Sequence, residues 1–161
     1  VCARGPGRAA LHEVMIERKL RTIDIRPLRD DELAWANDHY REIKFAETPA
    51  GALALVAELD GARVGLGRLV ELEPGVHELG GIWTADTARN RGVARAMVTA
   101  LLERAPRARL WCIPFVHLGA FYESFGFVAA ERPWPAAVAA KVTMCETERL
   151  PSVVVLARDH S

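Results

Sequence analysis

Three strand-like runs follow one another in this chain, joined by its two strongest turn signals, and they lead straight into a basic, glycine-containing loop. Residues 53–58 alternate toward Asp60-Gly61, a dipeptide suited to a two-residue hairpin, and residues 63–72 return antiparallel. Pro74-Gly75 then turns the chain into Val76–Thr84, which completes a meander. Behind it, Arg89-Asn90-Arg91-Gly92 opens a helix. Its apolar positions Val93, Ala94, Met97, Val98, Leu101, Leu102 and Ala105 recur at helical spacing, and Pro106 ends it. A doubly wound nucleotide fold would show parallel βαβ units from its start, whereas here the phosphate-type loop follows antiparallel hairpins.

The remaining segments complete the frame. Residues 22–26 alternate as a strand closed by Pro27, and Asp30 or Asp31 offers a cap for a helix through about Arg41. After the central helix come a strand at 109–113, a short helix at 116–124 and a strand beginning within 125–129. Pro133 and Pro135 break the chain before a small helix at 136–142, and a last strand is expected at 152–157. This order describes an α/β protein built on one mixed sheet with helices on both faces. The chain has 161 residues, half of them hydrophobic, enough for one domain over residues 22–161. Residues 1–21 lack strand alternation and any secretory apolar core, and are expected to form a flexible tail in which Met15 is an alternative start.

Twenty-one basic residues balance twenty-one acidic ones, so no broad positive field exists to hold nucleic acid or an anionic membrane. The cluster Arg89, Arg91 and Arg95 is a local feature. Cys2, Cys112 and Cys145 are odd in number and lack the paired spacing of a zinc site or disulfide framework, which points to no bound metal and a reducing cytoplasm. No apolar run reaches the roughly 18 residues of a membrane span. Exposed sheet edges would allow a homodimer.

The loop and the helix behind it form an anion cradle. The first amides of a helix have no intrahelical partner and stand at the positive end of its dipole, so phosphate oxygens are natural guests there. Gly92 lets a phosphate approach without a side chain in the way. Arg89-x-x-Gly92-x-Ala94 after the third meander strand, followed by Phe121-Tyr122-Glu-Ser-Phe-Gly126-Phe127, resembles the GCN5-related N-acetyltransferases over about residues 22–157. The chain departs from the usual family pattern at Thr84-Ala-Asp86, where Val-x-Pro is frequent, and at Phe115, where asparagine is common.

The resemblance implies acetyl-coenzyme A as donor. The N–H groups of Arg91, Gly92, Val93, Ala94 and Arg95, with Arg89 and Asn90 in the same loop, would hold its pyrophosphate. The main chain of Ile82, Trp83 and Thr84 would pair with the pantetheine arm, as an added peptide strand does. Tyr122 would give a proton to the coenzyme A sulfur, and a main-chain N–H near Trp83 would stabilise the carbonyl oxygen.

Thioester aminolysis also needs a base, and Glu78 on the strand entering the cradle is the candidate; burial beside Leu79, Ile82 and Trp83 would have to raise its pKa. Glu71 and Glu73 are rivals, and Glu78 read blandly is an exposed strand carboxylate. Arg68 is either a grip for a substrate carboxylate or a solvated edge charge. His77 and His117 read as structural or exposed residues, and Cys112 as core filler. The expected activity is acetyl transfer to a primary amine of a small metabolite such as an amino acid. The alternatives are a non-catalytic acyl-coenzyme A sensor and an acetyltransferase acting on protein N-termini or lysines.

Overall fold

The computed structural model describes residues 22–161, and the expected tail over 1–21 lies outside the described residues. Seven strands form one sheet: β1 (Asp24–Pro27), β2 (Leu53–Leu59), β3 (Ala62–Glu73), β4 (Val76–Thr84), β5 (Leu110–Cys112), β6 (Val128–Ala129) and β7 (Leu156–Arg158). Their spatial order is β1-β2-β3-β4-β5-β7-β6, with β4 and β5 parallel and every other pair antiparallel. The helices are α1 (Leu33–Glu42), α2 (Val93–Arg104), α3 (Gly119–Glu123) and α4 (Ala136–Thr147).

The predicted meander is present. Asp60 and Gly61 both take positive φ, 52° and 77°, as a two-residue hairpin of this hand requires. Strand alternation then sends side chains to two layers. Leu55, Ala57, Leu69 and Leu79 pack with Val93, Met97, Val98 and Leu101 of α2 and with Tyr122 of α3. On the other face Val56 and Leu66 meet Ala36 and Tyr40 of α1, while Trp111, Val155 and Ala157 meet Val138 and Val142 of α4.

Three expected boundaries move. The helix starting at Ala136 runs to Thr147 because the apolar stripe is not its stop signal: Arg149 at φ 55° takes the left-handed C-terminal position, and Leu150 N–H donates to Cys145 at 3.0 Å. The final strand starts only at Leu156. Residues 152–155 instead run beside the loop after β5, with Phe115 and Val153 forming a single bridge. The expected 116–124 helix divides into a 3₁₀ turn (Val116–Leu118) and α3.

A buried carboxylate anchors α1. Arg26 donates to both oxygens of Glu32 at 2.8 Å and to Glu58 at 2.6 Å, and Arg29 N–H donates to Glu32 at 2.9 Å. Chiefly through the Arg26 hydrogen bonds, these contacts pull the Glu32 pKa from 4.5 down to about 2. A depressed carboxylate stabilises the fold fully above its unfolded value and ceases to do so as pH falls through the folded one. Stability is therefore expected to decline between pH 4.5 and 2. Glu32→Gln should flatten that segment of a Tm-against-pH curve and cost about 1–3 kcal/mol at pH 7. An unaltered acid limb would show that other carboxylates govern it.

Candidate active site

The loop expected to cradle an anion is built from left-handed backbone. Asn90 and Gly92 have φ of 61° and 80°, and the backbone amides of such a turn line a concavity fit for an anion. Gly92 is the N-cap of α2 and no side chain among the described residues caps that helix, so the first amides of α2, on Val93, Ala94 and Arg95, keep their donor capacity. A Cβ placed on Gly92 would meet nothing within 4 Å, which leaves the approach to the cradle open. These features fit a pyrophosphate. The arginines divide their tasks: Arg89 pairs with Asp86 at 2.8 Å, Arg91 is exposed, and Arg95 lies over Phe125 and Phe121 and donates to Ser124 at 3.2 Å.

Strands β4 and β5 pair only at His77 with Leu110 and Glu78 with Trp111; beyond Glu78, β4 continues to Thr84 whereas β5 ends at Cys112. The two strands part there. Along the free stretch β4 also bulges: Leu66 faces Trp83 but Arg68 faces Gly80, so β4 carries one extra residue. Gly81, at φ 61°, makes the bulge, and the buried Tyr40 hydroxyl donates to its carbonyl at 2.7 Å. A Cβ on Gly81 would lie 2.9 Å from both Tyr40 Oη and Arg68 Nε. Ile82, Trp83 and Thr84, the expected pantetheine partners, follow the bulge on the free edge.

Glu78 stands where the strands part. It is 5% exposed, which removes the bland reading of a surface carboxylate, and Lys141 Nζ from α4 is its ion-pair partner. The sequence reading named the apolar Leu79, Ile82 and Trp83 beside Glu78 and did not foresee Lys141. The rivals are engaged elsewhere: Glu71 accepts from Gly75 N–H at 3.0 Å, and Glu73 accepts from Ala137 N–H at 3.1 Å in the first turn of α4.

Arg68 is 4% exposed, so the solvated-charge reading is also removed. Its guanidinium stacks on Tyr40 at 4.4 Å and donates to Thr48 Oγ1 at 2.8 Å, and Thr48 N–H is fixed by Asn37 at 2.8 Å. No carboxylate pairs with it among the described residues. Burial draws its pKa down, but a guanidinium remains charged. Between the Arg68 pair position and Glu78 lies Gly80, whose missing side chain would stand 3.3 Å from the Glu78 carboxylate. A cation and an anion thus border a floor without side chains.

Tyr122 lies on the opposite face of the sheet, 6% exposed, edge-on to Phe121 and Phe127 at 5.0 and 6.3 Å. Its hydroxyl donates to no protein acceptor among the described residues. Burial pushes its pKa up, with smaller contributions from Cys112 and Glu78, so the phenol keeps its proton at working pH. Cys112 is core filler as expected, and burial holds its thiol neutral. His117 is exposed beside Phe115, and His77 is half-buried with its Nδ1 unpartnered among the described residues. Among the described residues no group of His, Cys, Asp and Glu is arranged to hold a metal ion, and no helix is long and apolar enough to cross a membrane. Sequence reasoning missed Tyr40, Thr48 and the pairing of Lys141; the one available signal was that the chain holds only three lysines, Lys19, Lys44 and Lys141.

A family model described as acetyltransferase (GNAT) matches residues 17–127. No curated protein sequence matches the chain. Among solved structures, the Neisseria gonorrhoeae N-acetylglutamate synthase complexed with coenzyme A and L-arginine is similar at TM-score 0.60 and 17% identity, over 86% of this chain and 33% of that one. The chain therefore spans about a third of that synthase. The Escherichia coli ribosomal-protein-S18-alanine N-acetyltransferase is similar at TM-score 0.63 and 18% identity, over 87% of this chain and 95% of that one. A GNAT family acetyltransferase from Elizabethkingia anophelis with acetyl-CoA bound gives TM-score 0.58 and 14% identity, over 85% and 97%.

Proposed function

The chain belongs to the acetyltransferase (GNAT) family, and we propose that it passes the acetyl group of acetyl-coenzyme A to the primary amine of a small acid-bearing metabolite, an amino acid being the type case. One observation carries the acceptor class: a buried arginine without a carboxylate partner among the described residues borders the Gly80 floor, with the Glu78 carboxylate on its other side. An amino acid presents complementary charges, a carboxylate for Arg68 and an ammonium for Glu78. Burying such a cation is costly unless a ligand pairs with it.

Acetyl-coenzyme A supplies an acyl carbon activated as a thioester. The amides of Val93, Ala94 and Arg95 hold its diphosphate, with Arg89, Asn90, Arg91 and Gly92 shaping the loop, and the free edge of Ile82, Trp83 and Thr84 aligns its amide arm. Glu78 takes a proton from the acceptor ammonium. The N–H groups at the bulge donate to the acyl oxygen, and Tyr40 holds that bulge in place. Tyr122 protonates the sulfur. The burial that raises the phenol's pKa also raises the proton affinity of a thiolate leaving beside it.

Thiol release with a panel of amines tests the reading. Amino acids should accelerate it over amines of equal size lacking a carboxylate. Arg68→Met should raise KM by about 10- to 100-fold for carboxylate-bearing acceptors only, and equal losses for both classes would remove Arg68 from acceptor binding. Cofactor binding with no accelerating amine would favour a sensor, and acceleration by peptides alone would favour a protein acetyltransferase.

A further inference from the structure

The chain carries twenty-one Lys and Arg residues, of which only Lys19, Lys44 and Lys141 are lysines. Arginine does almost all the charge pairing here, including Arg26 with Glu32 and Arg89 with Asp86. Lysine nevertheless stands against the one carboxylate positioned to act as a base. An ion pair alone would be served as well or better by arginine, whose guanidinium does not give up its proton. A primary amine in contact with a base is the pairing that activates a nitrogen nucleophile.

The surroundings reinforce this. Lys141 projects from α4 to a carboxylate that is 5% exposed, at the point where β4 and β5 part. Lys141 and Glu78 both act electrostatically on the Cys112 thiol at the end of β5, and Glu78 acts on the Tyr122 phenol below. Amine and base are therefore in contact, and Lys141 Nζ occupies the place at Glu78 that an acceptor ammonium would take.

We propose that Lys141 is a self-acetylation site: with acetyl thioester bound and no acceptor present, its ε-amine takes the acetyl group and closes the acceptor seat. This rests on the acetyl-transfer reading above. Glu78 removes one proton from the Lys141 ammonium. The C–N bond forms as the C–S bond breaks; the second nitrogen proton is released to the sulfur through Tyr122, and Glu78 returns its proton to water. The product is an amide and a free thiol. The amide bears no charge, cannot pair with Glu78 as the ammonium did, and fills the seat with an acyl group. A true acceptor prevents this by displacing Lys141 from the carboxylate.

The test incubates the full chain with acetyl-coenzyme A alone, then maps peptides by mass spectrometry and measures residual amine turnover. Lys141 should gain one acetyl group well ahead of the exposed Lys44, which reports purely chemical acetylation. Amine added beforehand should slow the gain, and Glu78→Gln should abolish it. Lys44→Arg should leave it unaltered. Lys141→Arg keeps a cation beside Glu78 and should escape the loss of turnover that preincubation causes in the unaltered protein. Turnover of an amine with Lys141 unmodified, or modified no faster than Lys44, overturns the proposal while sparing the enzyme reading. Absence of cofactor binding overturns both.

Discussion

Tyr122→Phe is expected to lower turnover by about 10- to 1,000-fold while leaving the affinity for acetyl-coenzyme A unchanged. The substitution removes one oxygen and little else. The ring contacts with Phe121 and Phe127 do not involve the hydroxyl, and the hydroxyl serves no protein acceptor among the described residues, so the fold has no reason to respond. Without the phenol, the departing thiolate must wait for a proton from water in a site that burial makes unfavourable for charge. Stopped-flow measurement of thiol release separates that step from binding. Unchanged turnover would mean that another group protonates the sulfur.

Gly92→Val should act on binding instead, weakening acetyl-coenzyme A by about 10- to 100-fold in calorimetric titration. Two causes combine. A β-branched residue resists the φ of 80° found here, and any side chain would project into the open approach to the cradle. Gly92→Asn separates them, since asparagine tolerates left-handed backbone. Weak binding by both variants identifies obstruction as the cause; weak binding by valine alone identifies strain. Native affinity in both would locate the anion elsewhere.

Much of the fold is local and therefore legible in the order of residues. Asp60-Gly61 and Pro74-Gly75 specify their turns by backbone preference, and the spacing from Val93 to Leu102 specifies the face α2 buries. The cradle reads equally well because Gly92 and the uncapped helix start are adjacent in sequence.

The acceptor side is another matter. Whether Arg68 faces solvent or a buried floor depends on the register of β3 against β4, and one bulged residue changes the partners of everything beyond it. Tyr40 reaches Gly81 across 41 positions, and Lys141 reaches Glu78 across 63. Such pairs follow from how α1 and α4 settle on the sheet, which local propensity does not encode. The end of α4 was hidden for a related reason, since Arg149 adopts a backbone conformation usually left to glycine.

From the sequence by itself came the meander and the glycine-led start of α2, because hydrogen-bonding geometry within a few residues dictates each, and with them the motifs that carry the family resemblance. Packing alone decided that Arg68 is a buried cation without a counter-ion among the described residues and that a lysine rests on the candidate base. Those placements depend on which side chains lose water together when separate elements meet, and that is a property of the assembled layers.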